Sequence, residues 1–228
     1  MSRKKIELLV VALALVLIGL VRHYQWISLV GIPFFELDNE LLRRSNFLMA
    51  GIALWVLFSV YWEAAARNAS TAERSESGLS RTLHVLLVNL ALMFIAAPIY
   101  GLDRMLPVST LFMSAGLAIE AIGLVLAIWA RRHLGRHWSG EITIKVEHQL
   151  IRTGPYRLLR HPIYTGLLAM YVGLVLVTGE WLGLIGLGLA ALAYWRKIRL
   201  EERNLNEAFG ADYDAYRRDT WALVPGLY

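Results

Sequence analysis

The residues best suited to chemistry gather in one stretch: Gly154-Pro155-Tyr156-Arg157-Leu158-Leu159-Arg160-His161-Pro162-Ile163-Tyr164-Thr165-Gly166. A paired acid, Glu201-Glu202, follows two apolar runs later. Pro162 suits the first turn of a helix, because its missing N–H would lack a partner there anyway. His161 is therefore expected at the N-terminal mouth of an apolar helix, where free backbone N–H groups and the helix dipole favour an anion. A lone His in such a place is usually an interfacial side chain reaching for water. The company of Tyr156, Arg160 and Tyr164 argues for a site instead. Glu201 or Glu202 can bind an ammonium or sulfonium cation, or accept a proton. The plainer role for either is a solvated partner of a cation one helical turn away. Adjacent helical residues point in different directions, so at most one of the pair is expected to enter a site.

Something must carry these groups, and composition says what. The chain of 228 residues is 57% hydrophobic and only 18% charged, against roughly 45–50% and 25% in soluble domains. Its mean hydropathy is +0.49. This much apolar surface belongs in a bilayer. A crossing helix needs roughly 20 apolar residues. The candidate spans are residues 6–21, 47–66, 83–102, 110–130, 162–178 and 181–195. The first and the last two are short, and flanking Arg22, Arg196 and Lys197 can reach the interface and extend them. Gly179-Glu180 alone separates the last two, which predicts a tight helical hairpin returning Glu201 and Glu202 to the face of His161. The fold expected is an all-α integral membrane protein of about six transmembrane helices, with a C-terminal hairpin and a cytoplasmic link and tail.

Six spans place both termini on one side. With that side cytoplasmic, 19 of the 23 Lys and Arg residues fall there, leaving Arg22, Arg43, Arg44 and Arg104 opposite. This is the positive-inside bias. The sequon Asn68-Ala69-Ser70 then faces the cytoplasm and is not a glycosylation site. The same bias explains the net charge of +5 without nucleic acid. The Arg-Lys-Lys start and the following apolar run have no small-residue cleavage site after them, and read as a retained first span. Residues 24–44, with Trp26, Phe34 and Phe35, look interfacial.

Two non-membrane pieces remain. In the link from 131 to 161, residues 141–147 alternate polar and apolar, which predicts a short extended segment. In the tail, residues 196–209 should continue the last span as helix, with Gly210 as its cap and a short helix over 212–217. Zero Cys excludes a thiolate nucleophile, a disulfide scaffold and Cys-ligated zinc. No metal-spaced His pair stands out, so no metal is expected. Glycines 183, 186 and 188 lie inside a span with no strand before them, and read as close helix contacts rather than a phosphate loop. Glu120 interrupts the fourth span and Asn89 the third; an intramembrane carboxyl is a functional candidate by default, though either residue could simply hydrogen-bond helices together.

The C-terminal half resembles the isoprenylcysteine carboxyl methyltransferase family and its prokaryotic relatives, with phospholipid N-methyltransferases more distant. The matching residues are Leu134-Gly135-Arg136-His137-Trp138-Ser139, Lys145, His148-Gln149-Leu150-Ile151, Gly154-Pro155-Tyr156-Arg157, and Arg160-His161-Pro162 with Tyr164 and Gly166. Glu201-Glu202, Phe209-Gly210 with Tyr213 and Tyr216, and Pro225-Gly226 complete them. The likeness covers residues 110–228 and divides the chain into a membrane anchor, 1–108, and a methyltransferase core, 109–228.

This resemblance implies an S-adenosylmethionine-dependent methyltransferase acting on a lipophilic or lipidated acceptor, such as a prenylcysteine-like carboxylate, in a prokaryotic inner membrane among its lipids. It implies a cofactor pocket from Lys145, His148, Leu150, Ile151, Gly154, Tyr156, His161 and Tyr164. It places Glu201 and Glu202 at catalysis with Lys197 and Arg199. A family Arg falls on Lys197 here, and the two are not equivalent where a carboxylate is gripped at both oxygens. A sterol-reductase-like enzyme using NADPH shares the Arg-His-Pro-x-Tyr layout, but Ile163 fills the slot where Asn is usual there, and no comparable Glu pair occurs. A non-enzymatic membrane scaffold would not need the intact motifs.

Overall fold

The computed structural model describes residues 39–66, 78–96, 104–135 and 150–226. The expected first span, most of the interfacial segment and the alternating residues 141–147 lie outside these. The described elements are α1 (Asn39–Ala66), α2 (Gly78–Ala96), α3 (Thr110–Leu134), a 3-10 turn (Gly154–Arg157), α4 (Pro162–Thr178), α5 (Trp181–Phe209) and α6 (Ala211–Arg218). The expected hairpin is α4 and α5. It is joined at Gly179, whose φ of 64° is the left-handed cap that a residue with a Cβ resists. As expected, α5 runs on unbroken past the last apolar residues into the charged tail.

The boundaries follow local chemistry. Ser109 starts α3 by accepting a hydrogen bond at Oγ from the Leu111 amide. That helix runs a turn beyond its expected end, through Arg131, Arg132 and His133, whose charge suits a helix C-terminus. α2 spans 78–96 rather than the expected 83–102, ending two residues before Pro98. α1 begins at Asn39 rather than 47, so the end of the expected interfacial segment is helical. Arg43–Ala65, Gly78–Ala96 and Thr110–Leu134 are long and apolar enough to cross a membrane, and Pro162–Thr178 is a shorter apolar helix. The chain is an integral membrane protein.

Glycine sets the packing. α3 and α4 run antiparallel with their backbones nearly touching at two levels, one turn-pair apart. A Cβ on Gly166 would meet the Gly123 carbonyl at 2.5 Å, and one on Gly173 would meet the Gly116 carbonyl at 2.5 Å. Such contact replaces side-chain interdigitation, which lipid does not drive. Gly186 does the same between α5 and α2, where a Cβ would strike the Ala91 carbonyl. α1 lies along α3 and α4, and α2 along α5 and α4, so α4 touches every other long helix. Its residues Met170, Tyr171 and Leu174 fill the core, and Trp55 of α1 meets the Tyr171 ring edge-on at 4.7 Å. The pairings Gly51 with Glu120, and Ala65 with Arg131, make α1 parallel to α3. The pairings Ser80 with Arg196, and Ala91 with Gly186, make α2 antiparallel to α5. The long helices therefore alternate in direction, and the ends of α1, α3 and the starts of α2 and α4 share one face.

Candidate active site

That shared face carries the chemistry. Gly154 opens the 3-10 turn at φ 59°, and a Cβ there would run into the His133 ring at 2.6 Å. His133 Nε2 lies 2.8 Å from Thr153 Oγ1, tying the turn to the end of α3. Beyond the turn, the tail comes back alongside the chain. The Arg160 amide donates to the Trp221 carbonyl at 2.7 Å, the His161 amide to Ala222 at 3.1 Å, and the Trp221 amide to Leu158 at 3.1 Å. Thr165 Oγ1 donates to the Leu223 carbonyl at 2.7 Å. The mouth of α4 is thus pinned by the returning tail, and His161 is held as its N-cap residue.

His161 is buried between the two acids. Its Nδ1 lies 3.5 Å from Glu201 Oε2, and its Nε2 lies 3.4 Å from Glu202 Oε1. The second contact has ion-pair distance without hydrogen-bond alignment, which leaves Nε2 with no hydrogen-bond partner. Glu202 also receives the Arg160 Nε–H at 2.8 Å, and Arg160 donates onward to the carbonyls of Arg217, at 3.1 Å, and Thr220. Glu201 receives the Tyr164 hydroxyl. The Tyr164 ring stacks on His161 at 5.7 Å and on Tyr194 at 5.3 Å.

Electrostatics follow this geometry. Burial opposes charge on His161, but the flanking carboxylates outweigh it and raise the imidazole above its ordinary value. Burial pushes the Glu202 carboxyl up; His161 and Arg160 overcome this and hold it at about 2. Glu201 is lowered as well, against burial, by His161, Lys197 and the Tyr164 hydroxyl. The cluster is an imidazolium shared by two carboxylates, in which each charge has a partner.

Several expected site residues meet here. His161, Tyr164, Glu201 and Glu202 are in contact, and the Lys197 charge acts on Glu201 from one turn away. Arg199 is not brought to them: it is exposed, with its guanidinium 5.8 Å from the Trp195 ring centre. Tyr156 is buried one layer away. Its hydroxyl points to the Ala130 carbonyl at 3.5 Å, and its own carbonyl accepts the Tyr216 hydroxyl at 2.6 Å. Leu150 and Ile151 lie half-buried on the approach to the turn. Lys145 and His148 lie outside the described residues. Glu120 sits apart, fully buried at the Gly116–Gly173 crossing near Gly51. Of the two readings left open for it, hydrogen bonding between helices has no support among the described residues, where neither oxygen has a hydrogen-bond partner. Asn89 donates its Nδ2–H to the Val85 carbonyl of its own helix at 2.7 Å.

Other contributors were not assigned to the site from the sequence, although Tyr213 and Tyr216 were among the matching motif residues. Arg152 donates to the Asp212 carbonyl at 2.8 Å and lies over the Tyr216 ring at 5.7 Å, fastening α6 to the link. The buried Tyr213 hydroxyl has no hydrogen-bond partner and lies near Glu202 and Arg160. The spacing of Tyr213 and Tyr216, one helical turn, was the available signal. Tyr194 and His84 had none beyond being polar groups in apolar runs.

Residues 111–212 match the family model described as phospholipid methyltransferase. The protein-S-isoprenylcysteine O-methyltransferase of Dictyostelium discoideum is 30% identical over 83 residues, covering 36% of this chain and 35% of that protein. A probable protein-S-isoprenylcysteine O-methyltransferase of Oryza sativa subsp. indica is 34% identical over 113 residues, covering 48% and 59%. A cobalt-zinc-cadmium resistance protein of Cupriavidus metallidurans is 33% identical over 121 residues, covering 53% and 52%. The chain spans about half the length of the curated relatives it matches, 52–59% for the last two. The resemblance drawn from the motifs is shown by these matches.

Proposed function

We propose that this chain, which carries a phospholipid methyltransferase family segment over residues 111–212, transfers a methyl group from S-adenosylmethionine to a lipophilic acceptor at the cytoplasmic face of the membrane. A carboxylate like that of a prenylcysteine is the acceptor favoured, because two relatives are named for that reaction. The observation that carries the reading is the buried cluster of His161, Glu201, Glu202, Arg160 and Tyr164 at the mouth of α4.

The residues present fit the cofactor. Glu201, the more exposed of the two carboxylates, offers negative charge to a sulfonium or an ammonium. His161 Nε2 and the Tyr213 hydroxyl are buried polar atoms without hydrogen-bond partners among the described residues, and such atoms in a native protein call for an explanation. We assign the binding of the cofactor to the link around Leu150, Ile151, Gly154 and Tyr156, with Lys145 and His148, and to His161 and Tyr164 at the helix mouth. When bound, S-adenosylmethionine supplies an electrophilic methyl carbon open to in-line displacement. The protein's part is positioning and exclusion of water rather than proton transfer. Glu202 holds the tail closed through Arg160. Glu201, whose side chain is 23% exposed against 9% for Glu202, is the one that faces a ligand. Lys197 supplies the cation that orients an acceptor carboxylate beside it.

The orientation rests on charge. The mouth face collects Arg131 and Arg132 at the end of α3 and Arg196, Lys197 and Arg199 beyond the apolar part of α5, so we assign it to the cytoplasmic side by the positive-inside rule, with both termini there. Catalysis is assigned to residues 109–228 and support to 1–108. The test is thermal stability of the detergent-purified chain. At a concentration 100 times its Kd, S-adenosylhomocysteine should add about 2.7 kcal/mol, seen as a raised melting temperature, while NADPH should add none. No shift with S-adenosylhomocysteine overturns the reading.

A further inference from the structure

The site does not end with the matched segment. On the Glu201 side, Tyr164 is backed by Tyr194 of α5, and Tyr194 is backed by His84 of α2, whose ring meets it edge-on at 5.5 Å. His84 lies within electrostatic reach of Lys197, Arg196 and Glu201 and beside the Ala193 backbone. Its Nδ1 is buried without a partner. One turn earlier on α2, Ser80 takes two contacts from the Arg196 guanidinium, at Oγ and, at 3.3 Å, at its carbonyl. One turn later, Tyr171 of α4 points its hydroxyl at the Val88 carbonyl of α2 at 3.4 Å. Its ring lies 6.3 Å from that of Tyr194. The rings of His161, Tyr164, Tyr194 and His84 therefore form one column, running from the carboxylate pair to a helix outside the family match.

We propose that His84 is a positioning residue: its ring fixes Tyr194, Tyr194 fixes Tyr164, and Tyr164 holds the Glu201 carboxylate in place for the acceptor. The acceptor part of this rests on the methyltransferase reading. A ring column suits the task because edge-on and stacked aromatic pairs have preferred geometry as well as buried area. An aliphatic replacement fills space without setting the tilt of the next ring. The consequence is that α2 belongs to the working site rather than to an anchor.

Two measurements on the full chain in detergent test it, with His84→Leu and His84→Phe beside wild type. The first needs no cofactor: the His161 titration midpoint by histidine-selective NMR. The titratable and charged groups around His161 are Arg160, Glu201, Glu202 and Lys197, with Tyr156, Tyr164 and Tyr213. His84→Leu should lower the midpoint as Tyr164 and Glu201 loosen, and His84→Phe, which keeps a ring, should leave it in place. One midpoint in all three proteins overturns the proposal. The second uses S-farnesylcysteine as acceptor. His84→Leu should lower turnover about ten-fold while the Kd for S-adenosylhomocysteine changes less than two-fold, and His84→Phe should recover to within three-fold of wild type. Equal loss of turnover and cofactor affinity, or a Phe variant as poor as Leu, also overturns it. Wild type that binds no S-adenosylhomocysteine would sink the methyltransferase reading while leaving the first measurement decisive.

Discussion

Glu201 and Glu202 are neighbours on one helix, yet they belong to two differently built regions. Glu202 faces the tail. There the contacts are charged and redundant: Arg160 bridges it to two carbonyls of the returning chain, at Arg217 and Thr220. Glu201 faces the membrane helices. There the contacts are a hydroxyl and a column of rings, with Lys197 as the nearby cation. The difference teaches how one helix end can do two jobs. A fully paired carboxylate closes a structure, and a partly open one, backed by rigid rings, is available to a ligand.

Breaking the tail side should have the largest effect. In Arg160→Ala, Glu202 and His161 keep their places but lose the cation that joins them to residues 217–221. Removing one member of a buried pair typically costs about 3–5 kcal/mol, because the other charge is left uncompensated. The side chains of Arg160 and Glu202 are only 7% and 9% exposed, and Glu202 keeps its contact with His161, so the loss should lie at the lower end of that range. The melting temperature of the purified chain should fall sharply and cofactor affinity with it. Normal melting would mean that the tail is held by its backbone contacts alone.

The ligand side should answer in turnover instead. Glu201→Gln removes a charge with little change of volume. It should lower methyl transfer roughly 100-fold, equivalent to about 2.7 kcal/mol of transition-state stabilisation, with the fold intact. Glu202→Gln should do the reverse, costing stability first. If the two variants exchange these signatures, the assignment of roles along α5 is inverted. Full activity in the double variant would reduce both to structural groups.

Titration should separate the regions more gently. Glu202 is depressed to about 2 in the folded chain, so the stability it contributes is present above its ordinary value near 4.5 and is lost as pH falls from there towards 2. His161 is raised. Its contribution is complete below the ordinary histidine value of about 6.5 and fades as pH rises through the folded value. Melting temperature should therefore fall at both ends of the range. In Arg160→Ala the acid-side loss should be smaller and should end at higher pH, because one of the groups holding Glu202 down is gone and its folded value moves up towards the ordinary one. An unchanged acid limb would show that His161 alone sets it.

Much of this arrangement could be read from the chain because its markers are local. Pro162, Gly179 and Gly210 bound two helices by backbone geometry alone, and the hairpin between them returns Glu201 and Glu202 to His161. The division of labour between the two acids was not readable, since it depends on how α5 is rotated against α4. Nor was the choice between Lys197 and Arg199, which fall on different faces of the helix. His84 was hidden for another reason. Its partner Tyr194 is distant in sequence, and a single polar residue in an apolar run carries no signature of what it packs against.

Glu120 extends the comparison into the membrane and should give the smallest effect. It is more deeply buried than the acids at the mouth, but among the described residues both of its oxygens lack hydrogen bonds. Its neighbours are Gly51, Gly173 and Leu174, which make room for a side chain rather than bind one. An unsatisfied buried polar group costs about 1–3 kcal/mol, and Glu120→Gln leaves a group of the same shape equally unsatisfied. Stability should therefore move by less than about 1 kcal/mol and turnover by less than two-fold. Glu120→Met, of similar length and without the polar atoms, should raise the melting temperature. The opposite pattern, a Gln variant that loses turnover while melting normally, would mean that the carboxyl is used at depth, and that polar function in this protein is not confined to the mouth of α4.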